Sequence, residues 1–269
     1  MSLVETDWLD KNLNNVKIID CSWHMPQTKR VGFEEYKKVH IPNAVFFDLD
    51  KNSKKNTNLP HMIVEKAEWE KIVSKMGIKN DDKIIIYDNS DVISSCRCWF
   101  NFIYFGHKSE MVHVLNGGLK KWIKEKRKIT MDLKNIEISE YKGSENKELI
   151  KNIKMIDQNI DTQEFKVIDA RSRERFEGKI PEPRENLRSC NIKNSLCLPF
   201  NECLNDDKTF KNKKDLQMIF DAYIKNRQEV EIVFSCGSGV TACVLALAYS
   251  LINDKSVSYT HLRAHETGY

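Results

Sequence analysis

The chain is poor in the residues that staple or break small folds. Its 269 residues hold ten glycines and six prolines, far too few for a collagenous or low-complexity polymer. Its eight cysteines, at positions 21, 96, 98, 190, 197, 203, 236 and 243, form no Cys-x-x-Cys pair and no regular framework. That excludes a disulfide scaffold and points to free thiols in a reducing, cytoplasmic setting. Cys96 and Cys98 lack a second Cys or His pair at zinc-ligand spacing, so no metal is expected. Charge of neither sign dominates: 43 basic residues stand against 39 acidic ones, a net +4. The short lysine-rich runs at 51–55 and 211–214 read as solvated surface, not as a nucleic-acid stripe. The longest apolar run, 240–252, is shorter than the ~20 residues that span a bilayer. The opening MSLVETDWLDKNLNNVK has no basic region followed by an apolar one, and reads as the start of a folded domain. Neither nucleic acid nor membrane is an expected partner.

What the chain does have is concentrated around one cysteine. The run EIVF at 231–234 is apolar and β-branched and reads as a buried strand; ACVLALA at 242–248 reads as a buried helix. Between them stands SCGSGVT, so Cys236 sits where a strand ends and a tight loop opens a helix. Gly237 and Gly239 allow backbone conformations closed to other residues. Successive amides of Gly237, Ser238, Gly239, Val240 and Thr241 can then face one spot, at the positive end of a helix dipole. Such a setting favours thiolate, the nucleophilic form of cysteine.

The two halves echo each other. VKIIDC at 16–21 matches FKVIDA at 165–170, an offset of 149; HIPNAV at 40–45 matches NIKNSL at 191–196, an offset of 151; IIIYD at 84–88 matches IVFSC at 232–236, an offset of 148. Near-constant offsets mean a duplicated domain rather than a solenoid. Each half alternates short buried strands with amphipathic helices, such as 66–76 and 213–225. This predicts an α/β fold of two tandem domains, each a mainly parallel sheet flanked by helices. The expected boundaries are an N-terminal domain at 1–130, a linker at 131–152, a C-terminal catalytic domain at 153–255, and an atypical tail at 256–269 with no apolar period. Ligands in such folds bind at the carboxyl ends of the strands, where both Asp88 and Cys236 fall. At Asp88 the first half lacks the nucleophile and is expected to be non-catalytic.

A second motif, RFEGKIPEPR, places Arg175 and Arg184 nine residues apart around a Gly/Pro-containing loop that follows the 165–170 strand. A guanidinium grips a carboxylate with a permanently charged fork. An α-keto acid, with a carboxylate beside a carbonyl, suits two of them. Arg171, Arg173 and Arg188 rank as scaffold or rim.

Together CGSGVTA, RFxG…PEPR, the HIPNAVFFDLD stretch and the NGGLKKW turn resemble the rhodanese superfamily, and most closely its two-domain 3-mercaptopyruvate sulfurtransferases. The resemblance covers roughly residues 3 to 255. It implies sulfur transfer from a small-molecule donor, 3-mercaptopyruvate, through a persulfide on Cys236, with Arg175 and Arg184 holding the donor. Pyruvate leaves, and cyanide, a small thiol or thioredoxin takes the sulfur. It implies no cofactor. It also implies that Asp50 and His61, eleven residues apart, join Ser238 in a proton relay. Thiosulfate-specific relatives carry charged residues where this chain has Gly237 and Ser238. A thiosulfate:cyanide sulfurtransferase and a non-catalytic sulfur carrier remain the alternatives. A phosphatase loop ending in arginine does not fit, because position 242 is alanine.

Overall fold

A computed structural model describes residues 2–57, 59–182, 189–224, 230–253 and 258–260. The chain divides into two compact units, one of Met1–Asn146 with Asp207–Thr209, the other of Lys147–Asp206 with Phe210–Tyr269. Each is built on a five-stranded sheet. The first contains β1 (Leu3–Val4), β2 (Lys17–Asp20), β3 (Ala44–Phe46), β4 (Ile84–Tyr87) and β5 (Val112–Leu115), in the order β1-β5-β4-β2-β3. The second contains β6 (Ile150–Lys151), β7 (Phe165–Asp169), β8 (Leu196–Cys197), β9 (Glu231–Ser235) and β10 (Ser258–Thr260), in the order β6-β10-β9-β7-β8. Every neighbouring pair is parallel. The two orders are the same once each strand is replaced by its counterpart. The three matched segments of the sequence supply β2 and β7, β3 and β8, and β4 and β9.

Parallel strands covered on both faces carry continuous apolar runs rather than alternating ones. All four residues of β4 (IIIY) are buried, as are the last four of β9 (IVFS). The helix Lys66–Lys75 turns Trp69, Ile72 and Val73 inward at helical spacing. The helix Thr241–Ser250 has no polar stripe, and everything from Ala242 to Tyr249 is buried. The helix expected at 213–225 forms over Lys213–Tyr223.

Register sets up the site. β2 pairs with β4 from Lys17↔Ile84 to Asp20↔Tyr87, and β7 with β9 from Phe165↔Glu231 to Asp169↔Ser235. In each unit an aspartate therefore closes one central strand beside the end of the other. The next residues, Asp88 and Cys236, emerge at the carboxyl edge of their own sheets. In the first unit Gly117 and Gly118 both have positive φ, and a Cβ at Gly118 would stand 2.4 Å from the Asp88 carbonyl oxygen. The NGGLKKW turn thus packs against the Asp88 loop as scaffold.

Two segments differ from expectation. The interval 131–152 is built into the folded units. Tyr141 is buried, Ser139 bonds the carbonyls of Ser74 and Ile78, and Ile150–Lys151 is a strand of the second sheet. Its polar composition hid these anchors. The tail is not wholly without structure either. Ser258–Thr260 forms β10, paired in parallel with both β6 and β9. Three residues are too few to leave a periodic signature. The rest of the tail, 256–257 and 261–269, lies outside the described residues.

Candidate active site

Cys236 follows β9 directly, in a loop that ends at the helix Thr241–Ser250. Its side chain is buried, and the Gly239 N–H donates to its Sγ at 3.1 Å. Gly239 has φ 72°, in the left-handed region, which turns that amide back onto the sulfur. One carbonyl further, Cys243 Sγ donates to the Gly239 oxygen at 3.1 Å. Cys243 thus braces the loop from the helix behind it. Gly237 and Ser238 are only half-buried, so the loop reaches the surface.

Arg175 belongs to the one-turn helix Arg173–Phe176, whose cap is the Ser172 hydroxyl. A Cβ on Gly237 would stand 3.1 Å from Arg175 Nη2. The guanidinium therefore lies directly on the sulfur loop, and the missing side chain makes room for it. Arg175 Nε donates to Glu182 Oε1 at 3.2 Å and Nη2 to Glu182 Oε2 at 2.5 Å. Glu182 Oε1 also receives Arg171 Nη1 at 2.9 Å. Arg171 in turn grips Asp169, with Nη2 on Oδ2 at 2.7 Å, and reaches the Cys190 carbonyl at 2.8 Å. Burial works against charge on Arg171, yet Asp169 and Glu182 outweigh it and raise its pKa above the ordinary arginine value. Arg171 is thus a buried strut, and Arg173 is a rim residue paired with Glu202 and Tyr223. Arg184 and Arg188 lie outside the described residues.

Asp50 and His61 lie in the first unit, and the structure brings them together. His61 Nε2 and Asp50 Oδ1 are 2.8 Å apart, and Trp23 Nε1 donates to both Asp50 oxygens at 3.1 and 3.0 Å. The Trp23 ring stands edge-on to His61, with centroids 4.8 Å apart. Buried Arg97 donates Nη2 to the His61 carbonyl at 2.6 Å, holding a residue whose φ of 58° is otherwise disfavoured. His61 is buried, whereas the Asp50 side chain is 66% exposed. A histidine oriented by a carboxylate is suited to moving protons.

The matching loop of the first unit shows what a carboxylate does in place of the thiol. Asp88 is buried; Oδ1 accepts from Ser90 N–H at 2.7 Å and Oδ2 from Ser95 N–H at 2.9 Å. The side chain thus takes up two amides of its own turn. Burial raises its pKa despite the bonds from Ser95 and Ser90.

Sequence reading missed Glu182 and Trp23. Glu182 was visible as the acid inside PEPR, a ready counter-ion for the arginines on either side. Trp23 had no local signal. Among the described residues no group of three His, Cys, Asp or Glu side chains is placed to hold a metal ion. Nor, among them, is any helix long and apolar enough to cross a membrane.

Comparison with known proteins agrees with this architecture. The Rhodanese-like domain model matches residues 5–125 and again 152–269. The Arabidopsis thaliana mitochondrial thiosulfate/3-mercaptopyruvate sulfurtransferase 1 is 35% identical over 91% of this chain and 70% of its own length. The mouse 3-mercaptopyruvate sulfurtransferase is 31% identical over 95% of this chain and 88% of its own. The crystal structure of SseA, a 3-mercaptopyruvate sulfotransferase from Escherichia coli, superposes with a TM-score of 0.88 at 28% identity, covering 97% of this chain and 98% of that one. With two copies of one sheet topology, a thiol at the end of β9 and these matches across both halves, the chain belongs to the rhodanese-like family.

Proposed function

We propose that this chain is a sulfurtransferase that takes sulfur from 3-mercaptopyruvate onto Cys236 and passes it to a thiol. The observation that carries the reading is the Arg175 guanidinium lying on Gly237, beside a buried thiol whose sulfur receives a backbone N–H. The Cys236 thiolate attacks the donor sulfur, an S–S bond forms and the donor C–S bond breaks. The electron pair of that bond goes to the methylene carbon, which takes up the proton released from the donor thiol and leaves as pyruvate. The persulfide then gives its outer sulfur to cyanide, a small thiol or thioredoxin, and the thiolate returns. Arg175, together with Arg184, binds the carboxylate and carbonyl of the donor. Proton handling falls to His61 and Asp50, with Ser238 as the loop hydroxyl; their support is the 2.8 Å contact and the family resemblance. A reducing compartment, the cytoplasm in this reading, keeps the thiol available.

Donor choice favours the keto acid over thiosulfate. Thiosulfate is a small dianion, and the loop offers it no cation, since Gly237 and Ser238 are neutral. Arg175 already shares its charge with Glu182. The test is Cys236→Ser with 3-mercaptopyruvate. The parent should gain one sulfur on the peptide carrying Cys236, seen by mass spectrometry, and the variant should gain none and show no turnover. Sulfur appearing on Cys243 or Cys190 defeats the assignment. Initial rates with both donors and one acceptor then decide between 3-mercaptopyruvate and thiosulfate.

A further inference from the structure

The geometry points to Glu182 as a positioning residue: its carboxylate holds Arg175 against the sulfur loop with one edge of the guanidinium turned to the donor. This rests on the reading that Arg175 binds the donor carboxylate. Four side chains form a chain of alternating charge: Asp169, Arg171, Glu182, Arg175. The first three side chains are 1%, 2% and 2% exposed, and Arg175 is 21% exposed. The chain is therefore anchored in the sheet edge by Asp169 at the end of β7 and ends on Arg175 at the surface. A carboxylate as buried as Glu182 is costly unless paired, and here it is paired twice.

The pairing is directional. Glu182 takes the Nε/Nη2 edge of Arg175, one carboxylate oxygen to each nitrogen. The edge it does not take is Nη1/Nη2. A donor carboxylate approaching end-on meets a fork that is already oriented. An arginine side chain left free loses rotamer freedom when it grips a ligand. Fixing it beforehand lowers the ordering cost at binding. Glu182 also cancels part of the Arg175 charge, which matches the site to a monoanionic carboxylate.

The experiment measures KM and kcat for 3-mercaptopyruvate on the full chain for Glu182→Gln, Arg175→Ala and the double variant. Glu182→Gln should raise KM about tenfold or more with kcat changed less than about threefold. In the Arg175→Ala background it should add almost nothing, because it acts through Arg175. Glu182→Asp, which keeps the charge on a shorter stem, should recover part of the lost affinity. An unchanged KM in Glu182→Gln, or the same penalty with and without Arg175, overturns the proposal while leaving the donor-binding role of Arg175 intact. Arg175→Ala with unaltered KM is the distinct result that removes the underlying reading and the proposal with it. If Glu182→Gln does not fold, Arg171→Lys keeps the buried charge and loses the Nη1 bond to Glu182. It should raise KM only where Arg175 is present, and a rise in both backgrounds likewise overturns the proposal.

Discussion

At the scale of single residues the site depends on a side chain that is missing. Arg175 Nη2 lies 3.1 Å from where a Gly237 Cβ would be, closer than ordinary van der Waals contact. Gly237 does not have a positive φ, so alanine is tolerated by the backbone and tests the contact alone. Gly237→Ala should fold normally and still form persulfide, and should raise KM for 3-mercaptopyruvate by roughly three- to tenfold, about 0.7–1.4 kcal/mol. Unchanged donor kinetics would show that the guanidinium gives way without loss. A larger side chain here, such as arginine, would place a second cation against Arg175 as well as crowd it. Much of this residue-level picture was readable in the chain itself. A thiol between an apolar strand and an apolar helix, with two glycines just after it, is a local pattern. Partner choice is not local: that Glu182 serves two arginines, or that Trp23 holds Asp50, follows from tertiary packing between segments seven to twenty-seven residues apart. The spacing of Asp50 and His61 carried meaning only through family resemblance.

At the scale of elements, the second sheet turns on a strand of three residues. β10 lies between β6 and β9, and β9 delivers Cys236. Ending the chain after Asn253 removes β10 and bares one edge of β9 along a buried apolar run, which is an aggregation-prone arrangement. The shortened protein should lose persulfide formation and turn insoluble on mild heating, read by light scattering and by mass spectrometry of the donor-treated protein. Full activity in the soluble shortened protein would show that β10 is dispensable. Periodicity exposed β2, β4, β7 and β9, whose apolar runs are continuous because both faces are covered. It failed for β6 and β10, two and three residues long, because such strands are defined by their neighbours rather than by their own pattern. Tyr141 was lost for a related reason: one buried ring in a polar stretch has no period.

At the scale of the whole molecule, duplication has left the two copies electrostatically unlike. Asp169 of the second unit faces Arg171, whereas Asp20 of the first has Ser22 two residues on, a backbone N–H and a hydroxyl in place of a guanidinium. Burial pushes the Asp20 carboxyl up from 3.8 to about 7, against the bonds it accepts from Ser22 and Tyr87. The folded chain thus keeps a proton that the unfolded chain gives up. The associated stability is fully present below about pH 4 and is lost as pH rises towards 7. Asp20→Asn removes that slope, so the melting temperature of the variant relative to the parent should climb between pH 4 and 7. A constant difference across that range would mean that Asp20 does not titrate there. The strand order also acts in time. The first sheet can close once β5 ends at Leu115, but the second is not complete until β10 ends at Thr260. At ~5–20 residues per second this interval lasts on the order of ten to thirty seconds on the ribosome. Cys236 is translated 24 residues before Thr260, about one to five seconds at that rate, and through that wait its loop stands without the finished sheet behind it.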